Sequence, residues 1–236
     1  MTDYRSELID PIEMYLRVIL ECEEECVPPM NARITERLGR SAPTVHTNLN
    51  RMKHQRLILI NEDRHLRLSR TGRQRAISVM RKHRLAEALL VHGLGVPYEQ
   101  AHNEANRFQH VMGDRAETFI YQSLGRPTHS PYGNPIPGLA EIGGISVTGE
   151  SAGGEYNLFA GGFTGDAVVS RIAEWTQSDT ALMKRLHAAG VVPGRTVTVS
   201  QHPGQVTISG PSREVRLTES QVRGIFVTKQ GLPPRS

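Results

Sequence analysis

Apolar residues in the first part of the chain fall at helical spacings. Tyr15, Leu16, Ile19 and Leu20 recur at three and four, as in an amphipathic helix, and Pro28-Pro29 stops it. A second segment, 32–38, ends at Gly39. Ser41 then stands where an N-cap is expected, with Pro43 tolerated in the first turn. Val45, Leu49 and Met52 follow at four and three as one buried stripe. Helix, short turn and helix give a helix-turn-helix. Leu57 to Ile60 is a short apolar run, 61–64 is turn-like, and His65 to Ser69 alternates polar and apolar. Two short strands around a turn at this point predict the wing of a winged helix. Thr71 with Gln74 reads as a capping box opening a long helix through Leu90. Further helices are predicted over 98–112 and from Asp114, capped with Glu117.

The pattern then changes. Residues 126–138 hold four prolines and 143–165 are rich in glycine, which reads as a tether and a linker. Strand-like runs occur at 167–169, 196–199 and 205–208, with a short helix at 178–189 among them. The predicted fold class is α+β. A winged-helix domain covers 1–74, a helical metal-binding and dimerisation domain 75–142, a linker 143–165, and a small β-rich domain 166–236. Ile77, Met80, Leu85, Leu89 and Leu90 offer the apolar surface expected to pair two copies as a homodimer.

Composition narrows the function classes. Hydrophobic residues make up 38% and charged residues 22%, enough for a core and against wholesale disorder. No apolar run reaches the ~18 residues of a membrane span, and no secretory signal is visible. The expectation is a soluble, cytoplasmic protein with no membrane partner. Cys22 and Cys26 are too few for a disulfide scaffold, and the acids around them do not lower a thiol pKa. They read as unremarkable cysteines rather than a redox switch.

The net charge of +4 is concentrated. From Arg33 to Arg84 there are 14 Lys or Arg against three acids, an excess of 11, whereas 85–142 has three against six. Such a block fits a polyanion, because bound phosphates release counterions. Residues 31–74 contain no Phe, Trp or Tyr to stack RNA bases, so duplex DNA is favoured. The outward face of the second helix offers Ser41, Pro43, Thr44, His46, Thr47, Asn48 and Arg51 to base edges and phosphates. Arg33, Arg37 and Arg40 suit phosphates, and Arg64 and Arg67 in the wing suit the backbone or minor groove.

A second constellation lies beyond the wing. His83 and Glu87 are spaced i, i+4, His102 and Asn106 repeat that spacing, and Gln109-His110 follow. Two helices each offering His and an oxygen on one face make a divalent-metal site, against the alternative of solvated polar pairs. A metallohydrolase would use the same residue types. However, no H-E-x-x-H and no G-x-S-x-G is present, and a hydrolase has no need of a winged helix. The reading is therefore a binding protein and not an enzyme.

Several stretches carry a resemblance to a known family. They are Glu13-Met14-Tyr15-Leu16-Arg17, Ala32-Arg33-Ile34, Pro43-Thr44-Val45, the run from Val79 to Glu87, His110-Val111-Met112, and the run from Ser130 to Gly138. Over nearly its full length the chain resembles the iron-dependent regulators related to the diphtheria toxin repressor. The resemblance implies an SH3-like C-terminal domain. It also implies a dimer on double-stranded operator DNA, with two dimers per operator as a further arrangement. The cofactor it implies is a divalent metal, iron(II) first, with manganese(II) or zinc(II) as alternatives, controlling metal-homeostasis genes.

By position, the resemblance implies an ancillary metal site at His83, Glu87, His102, Glu174 and Gln177, with Arg84, Ser130 and Asn134 holding an anion beside it. It implies a primary metal site at Met14, Asn106, Gln109 and His110. Here the chain departs, with Asn106 for the family's cysteine and Gln109 for its glutamate. His46 and Thr47 likewise replace a serine and a glutamine on the DNA face. Loss of two negative charges removes several kcal/mol of attraction for a dication even at an effective dielectric near 20. The ancillary set is therefore expected to be the working metal site. The alternative is a regulator of the same fold that answers manganese, zinc or a non-metal signal.

Overall fold

A computed structural model describes residues 11–145, 154–160 and 163–229. Much of the expected linker (146–153 and 161–162) and the outer ends of the first and last expected domains (1–10 and 230–236) lie outside the described residues.

The N-terminal unit is built by three helices and a two-stranded wing: α1 (Pro11–Glu24), α2 (Asn31–Leu38), α3 (Ala42–His54), β1 (Ile58–Ile60) and β2 (Leu66–Leu68). Gly39 takes φ 58°, the left-handed C-cap that ends α2. Ser41 caps α3, its hydroxyl accepting the Thr44 N–H at 3.4 Å. Val45, Leu49 and Met52 meet Leu16, Ile19 and Ile34 in one core with Leu57, Ile58, Leu66 and Leu68 of the wing. The wing strands pair antiparallel, Ile58 opposite Leu68 and Ile60 opposite Leu66.

The long helix α4 (Arg70–Ala88) starts earlier than expected and by a different cap. The Ser69 hydroxyl accepts the Gly72 N–H at 3.0 Å and donates to the Arg56 carbonyl at 2.7 Å, so Thr71 and Gln74 form no capping box. Gly72 is required there, since a Cβ would stand 1.9 Å from the Leu57 carbonyl oxygen. The helix passes into a π-helical turn, Leu89–Gly93, before α5 (Tyr98–Phe108) and α6 (Asp114–Ser123). Asp114 lies inside the first turn of α6 and Gly113 is its N-cap, with no side-chain cap bond. Helix α4 packs against α1, α5 and α6.

Met80, Leu85 and Leu90 are buried within this one chain, and Ile77 and Leu89 are half-buried. They complete the monomer core, which corrects the expectation that they form a dimer face. The exposed apolar residues of this region are instead Leu94, Val111 and Phe119, with Phe108 at the margin.

The proline-rich stretch is a packed bridge and not a loose tether. Tyr132 lies in the core of the C-terminal unit, while Ile136 and Leu139 lie in the helical core with Leu85 and Tyr121. The Tyr132 carbonyl accepts the Ile172 N–H at 2.8 Å. Gly133, at φ 82°, lets the backbone pass where a Cβ would come within 2.2 Å of the Ser170 carbonyl.

The C-terminal unit is a six-stranded antiparallel sheet in the order β3-β8-β4-β5-β6-β7. Its strands are β3 (Glu155–Asn157), β4 (Gly165–Ile172), β5 (Thr196–His202), β6 (Gln205–Ser209), β7 (Glu214–Thr218) and β8 (Ile225–Lys229). Two helices, α7 (Glu174–Gln177) and α8 (Thr180–Ala189), follow β4 and face α5. That placement brings Glu174 and Gln177 to the helical unit. No helix among the described residues is long and apolar enough to cross a membrane.

Candidate metal centre and nucleic-acid interface

The i, i+4 spacing sets His83 and Glu87 on the face of α4 that α5 covers, and His102 comes from α5. Their ligand atoms lie within 4.8 Å of one another, all three side chains buried. His83 Nε2 is 2.8 Å and His102 Nδ1 2.9 Å from the same Glu87 Oε1. The His83 ring pKa is pushed down to about 4, by burial and by the neighbouring Arg17 cation. Burial also pushes the Glu87 carboxyl up, but His83 and His102 outweigh it and hold it below the carboxylate range. The pocket therefore presents a neutral His83 imidazole and an ionised Glu87 carboxylate, the forms that bind cations.

Two oxygens here test whether a cation fits. Among the described residues, Glu87 Oε2 and Gln177 Oε1 are buried with no hydrogen-bond partner. Gln177 donates its amide N–H to the Ile172 carbonyl at 2.6 Å, leaving the oxygen for a cation. Orphaned buried acceptors are costly, and a cation relieves them. Glu174 is ion-paired to Arg84, and Glu87 and His83 are near enough to shift its carboxyl. Burial pushes its pKa up, but Arg84 and His83 together lower it. The donor set fits a divalent metal.

Arg84 and Asn134 turn donors to protein acceptors in this arrangement. Arg84 spends its donors on Glu174 Oε1 (2.8 Å), both Glu24 oxygens (3.1 and 2.5 Å) and the Pro135 carbonyl. Two carboxylates over-balance its one charge. Asn134 gives its amide N–H to the Ile172 carbonyl, and the Ser130 hydroxyl accepts the Tyr132 N–H.

The second set is brought together as well, with a different chemistry. Gln109 Nε2 donates to Met14 Sδ at 3.4 Å and to His110 Nε2 at 3.1 Å. His110 Nδ1 then donates to Glu13 Oε2 at 2.8 Å. Asn106 Oδ1 and Gln109 Oε1 accept from Arg17 Nη1 at 2.6 and 3.2 Å, and the same nitrogen is 2.8 Å from His83 Nδ1. Arg17, which bridges the two sets, and Glu24, which pairs with Arg84, were absent from the expected site. Both sit on α1, and their partners lie 60 to 92 residues away.

On the other face of the molecule Ser41, Pro43, Thr44, His46, Thr47 and Arg51 are exposed along α3, as are Arg64 and Arg67 in the wing. Arg33 is partly exposed and pairs with Glu36 at 2.5 Å. Asn48 is half-buried and its amide donates to Tyr15 Oη and the Thr44 carbonyl, so only its oxygen is open. Arg37 is not on this face, because its buried guanidinium is bidentate to Glu25.

Family models match in three consecutive pieces. They are the iron dependent repressor N-terminal DNA binding domain over residues 7–66, the iron dependent repressor metal binding and dimerisation domain over 69–138, and the FeoA domain over 164–229. The chain is 46% identical over 231 residues to the iron-dependent repressor IdeR of Mycobacterium tuberculosis, covering 95% of this chain and 99% of that one. The chain belongs to the iron-dependent repressor family.

A second relative of this repressor is the diphtheria toxin repressor of Corynebacterium diphtheriae, 38% identical over 222 residues and covering 94% of this chain and 98% of that one. Among solved structures, a manganese-dependent transcriptional repressor in complex with manganese superposes with a TM-score of 0.77 at 26% identity, covering 92% of this chain and 99% of that one. Free Cys22 in the repressor is buried, and burial pushes its thiol up to about 12.

Proposed function

We propose that this chain is a cytoplasmic, metal-dependent transcriptional repressor that binds duplex operator DNA as a homodimer when a divalent cation is held by His83, Glu87 and His102. The observation that carries the reading is the fully buried His–Glu–His cluster, in which Glu87 Oε2 is left without a partner. A bound dication would give Glu87 Oε2 the partner it lacks. Imidazole, carboxylate and amide oxygen without thiolate suit iron(II) and manganese(II), with zinc(II) the remaining candidate. The relatives' printed names, iron- and manganese-dependent, support the same pair.

The residues' work is positional. His83 and Glu87 come from α4, His102 from α5, and Glu174 and Gln177 from α7. One centre would join the helical unit to the sheet domain and fix the angle at which each wing unit is presented. The cation then favours the DNA-competent arrangement by its differential affinity for it. Ser41, Pro43, Thr44, His46, Thr47 and Arg51 line the reading face, and Arg33 lies beside it. No step on this route calls for a catalytic group.

The test is a DNA-binding titration on a promoter bearing the candidate operator, with metal-free protein, iron(II), manganese(II) and zinc(II) in parallel. Affinity should rise with iron(II) or manganese(II) and be lost in His83→Ala. Equal affinity in all four arms would leave the cluster without a regulatory role. The footprint length reports whether one dimer or two occupy the operator.

A further inference from the structure

We infer that Arg17 is the resident cation of the Met14, Asn106, Gln109 and His110 cluster, so that the chain takes one divalent metal and not two. The inference rests on the reading that the other cluster holds the metal.

Every acceptor atom that could face a cation in this set already has an N–H partner. Arg17 Nη1 can only donate, so Asn106 Oδ1 (2.6 Å), Gln109 Oε1 (3.2 Å) and His83 Nδ1 (2.8 Å) all accept from it. That turns the Gln109 amide so that its NH2 points at Met14 Sδ and His110 Nε2. The ring accepts at Nε2 and donates at Nδ1 to Glu13. No side-chain atom of these four residues is among the buried groups left without a partner, in contrast to Glu87 Oε2 and Gln177 Oε1.

Charge points the same way. Met14, Asn106, Gln109 and His110 bring no negative charge, and the buried Arg17 already brings a positive one, paired with Glu21 at 3.0 Å. A dication placed here would face the Arg17 guanidinium and would have to turn the Gln109 amide around. A thiolate at 106 and a carboxylate at 109 could hold both charges, but two neutral amides cannot. Arg17 thus ties α1 to α5 without metal, and only the His83 cluster is left to answer the cation.

Manganese(II) titration followed by calorimetry and native mass spectrometry tests this on the intact chain. Wild type should take one ion per chain, His110→Ala one, and His83→Ala none. Arg17→Met combined with Gln109→Glu removes the resident cation and restores a carboxylate, so this variant, once shown folded by circular dichroism, should take two. Two ions in wild type, or loss of the ion in His110→Ala, overturns the inference. A folded double variant that still takes one shows that Arg17 does not close the cluster. Wild type taking none would defeat the proposed metal site while leaving the Arg17 assignment standing.

Discussion

Arg84 holds Glu174 across 90 residues of chain, Nε to Oε1 at 2.8 Å, with both side chains almost wholly out of solvent. The pair joins α4 to α7 and thereby the helical unit to the sheet domain. Glu24 of α1 completes it on the other side of the guanidinium.

Removing Arg84 leaves two carboxylates without their partner in a dry site. Arg84→Met should cost about 3–5 kcal/mol, the range for breaking a buried ion pair on one side. Denaturant unfolding of chelator-treated protein reads this directly. Manganese(II) should recover part of the loss, since a dication can take over the charge balance of Glu174. A loss under about 1 kcal/mol would mean that Glu24 and Glu174 rearrange to water.

The metal-free protein should lose stability on acidification through His83. Its folded pKa is about 4, against an ordinary 6.5. Between those values the unfolded chain binds the proton and the folded chain does not, so stability falls as pH drops from 6.5 to 4. The shift corresponds to about 3 kcal/mol at most. Unfolding curves of chelated wild type and His83→Gln across this window check it. The variant should show the shallower slope.

Two arginines that look alike in the sequence should behave in opposite ways. Arg51 is exposed on α3, while Arg37 is buried against Glu25 and Glu21. Arg51→Ala should weaken DNA binding on every sequence and reduce the salt slope by about one, with stability unchanged. Arg37→Ala should destabilise the fold first. Thr47→Ala should change preference among operators. Salt-dependent binding isotherms beside melting curves separate the three.

What was legible in the sequence was local. Ser41, Pro43 and the Val45, Leu49, Met52 stripe specify α3 within one stretch, and α3 lies where they predict. His83 and Glu87 share a face because i and i+4 always do. The cap of α4 was misread because Ser69 and Thr71 are both hydroxyl residues near the start. Only the tertiary contact to the Arg56 carbonyl selects Ser69. Nothing local marks Arg17 and Glu21, an i, i+4 pair beside the apolar stripe of α1, as buried. Their burial comes from α4 and α5, which no period in α1 encodes. The proline-rich stretch read as a tether for the same reason, since the cores that take up Tyr132 and Ile136 are assembled from distant segments.

The homodimer should form through the apolar residues left outside the core. Leu94, Val111 and Phe119 are 63%, 59% and 64% exposed, and all three fall within the stretch matched by the metal binding and dimerisation domain. Exposed apolar side chains that form a contiguous patch mark an interaction surface, and these three are its candidates in that domain. Leu85, by contrast, is fully buried beside Tyr121, Ile136 and Leu139. A charge at the centre of the interface would be buried without a partner, so Phe119→Glu should raise the dimer dissociation constant about tenfold for each 1.4 kcal/mol lost. Leu85→Ala should instead cost about 2–5 kcal/mol of chain stability and leave association nearly unchanged. Sedimentation equilibrium across a concentration series, with and without manganese(II), distinguishes the two. An unaltered dissociation constant in Phe119→Glu would place the interface on another face.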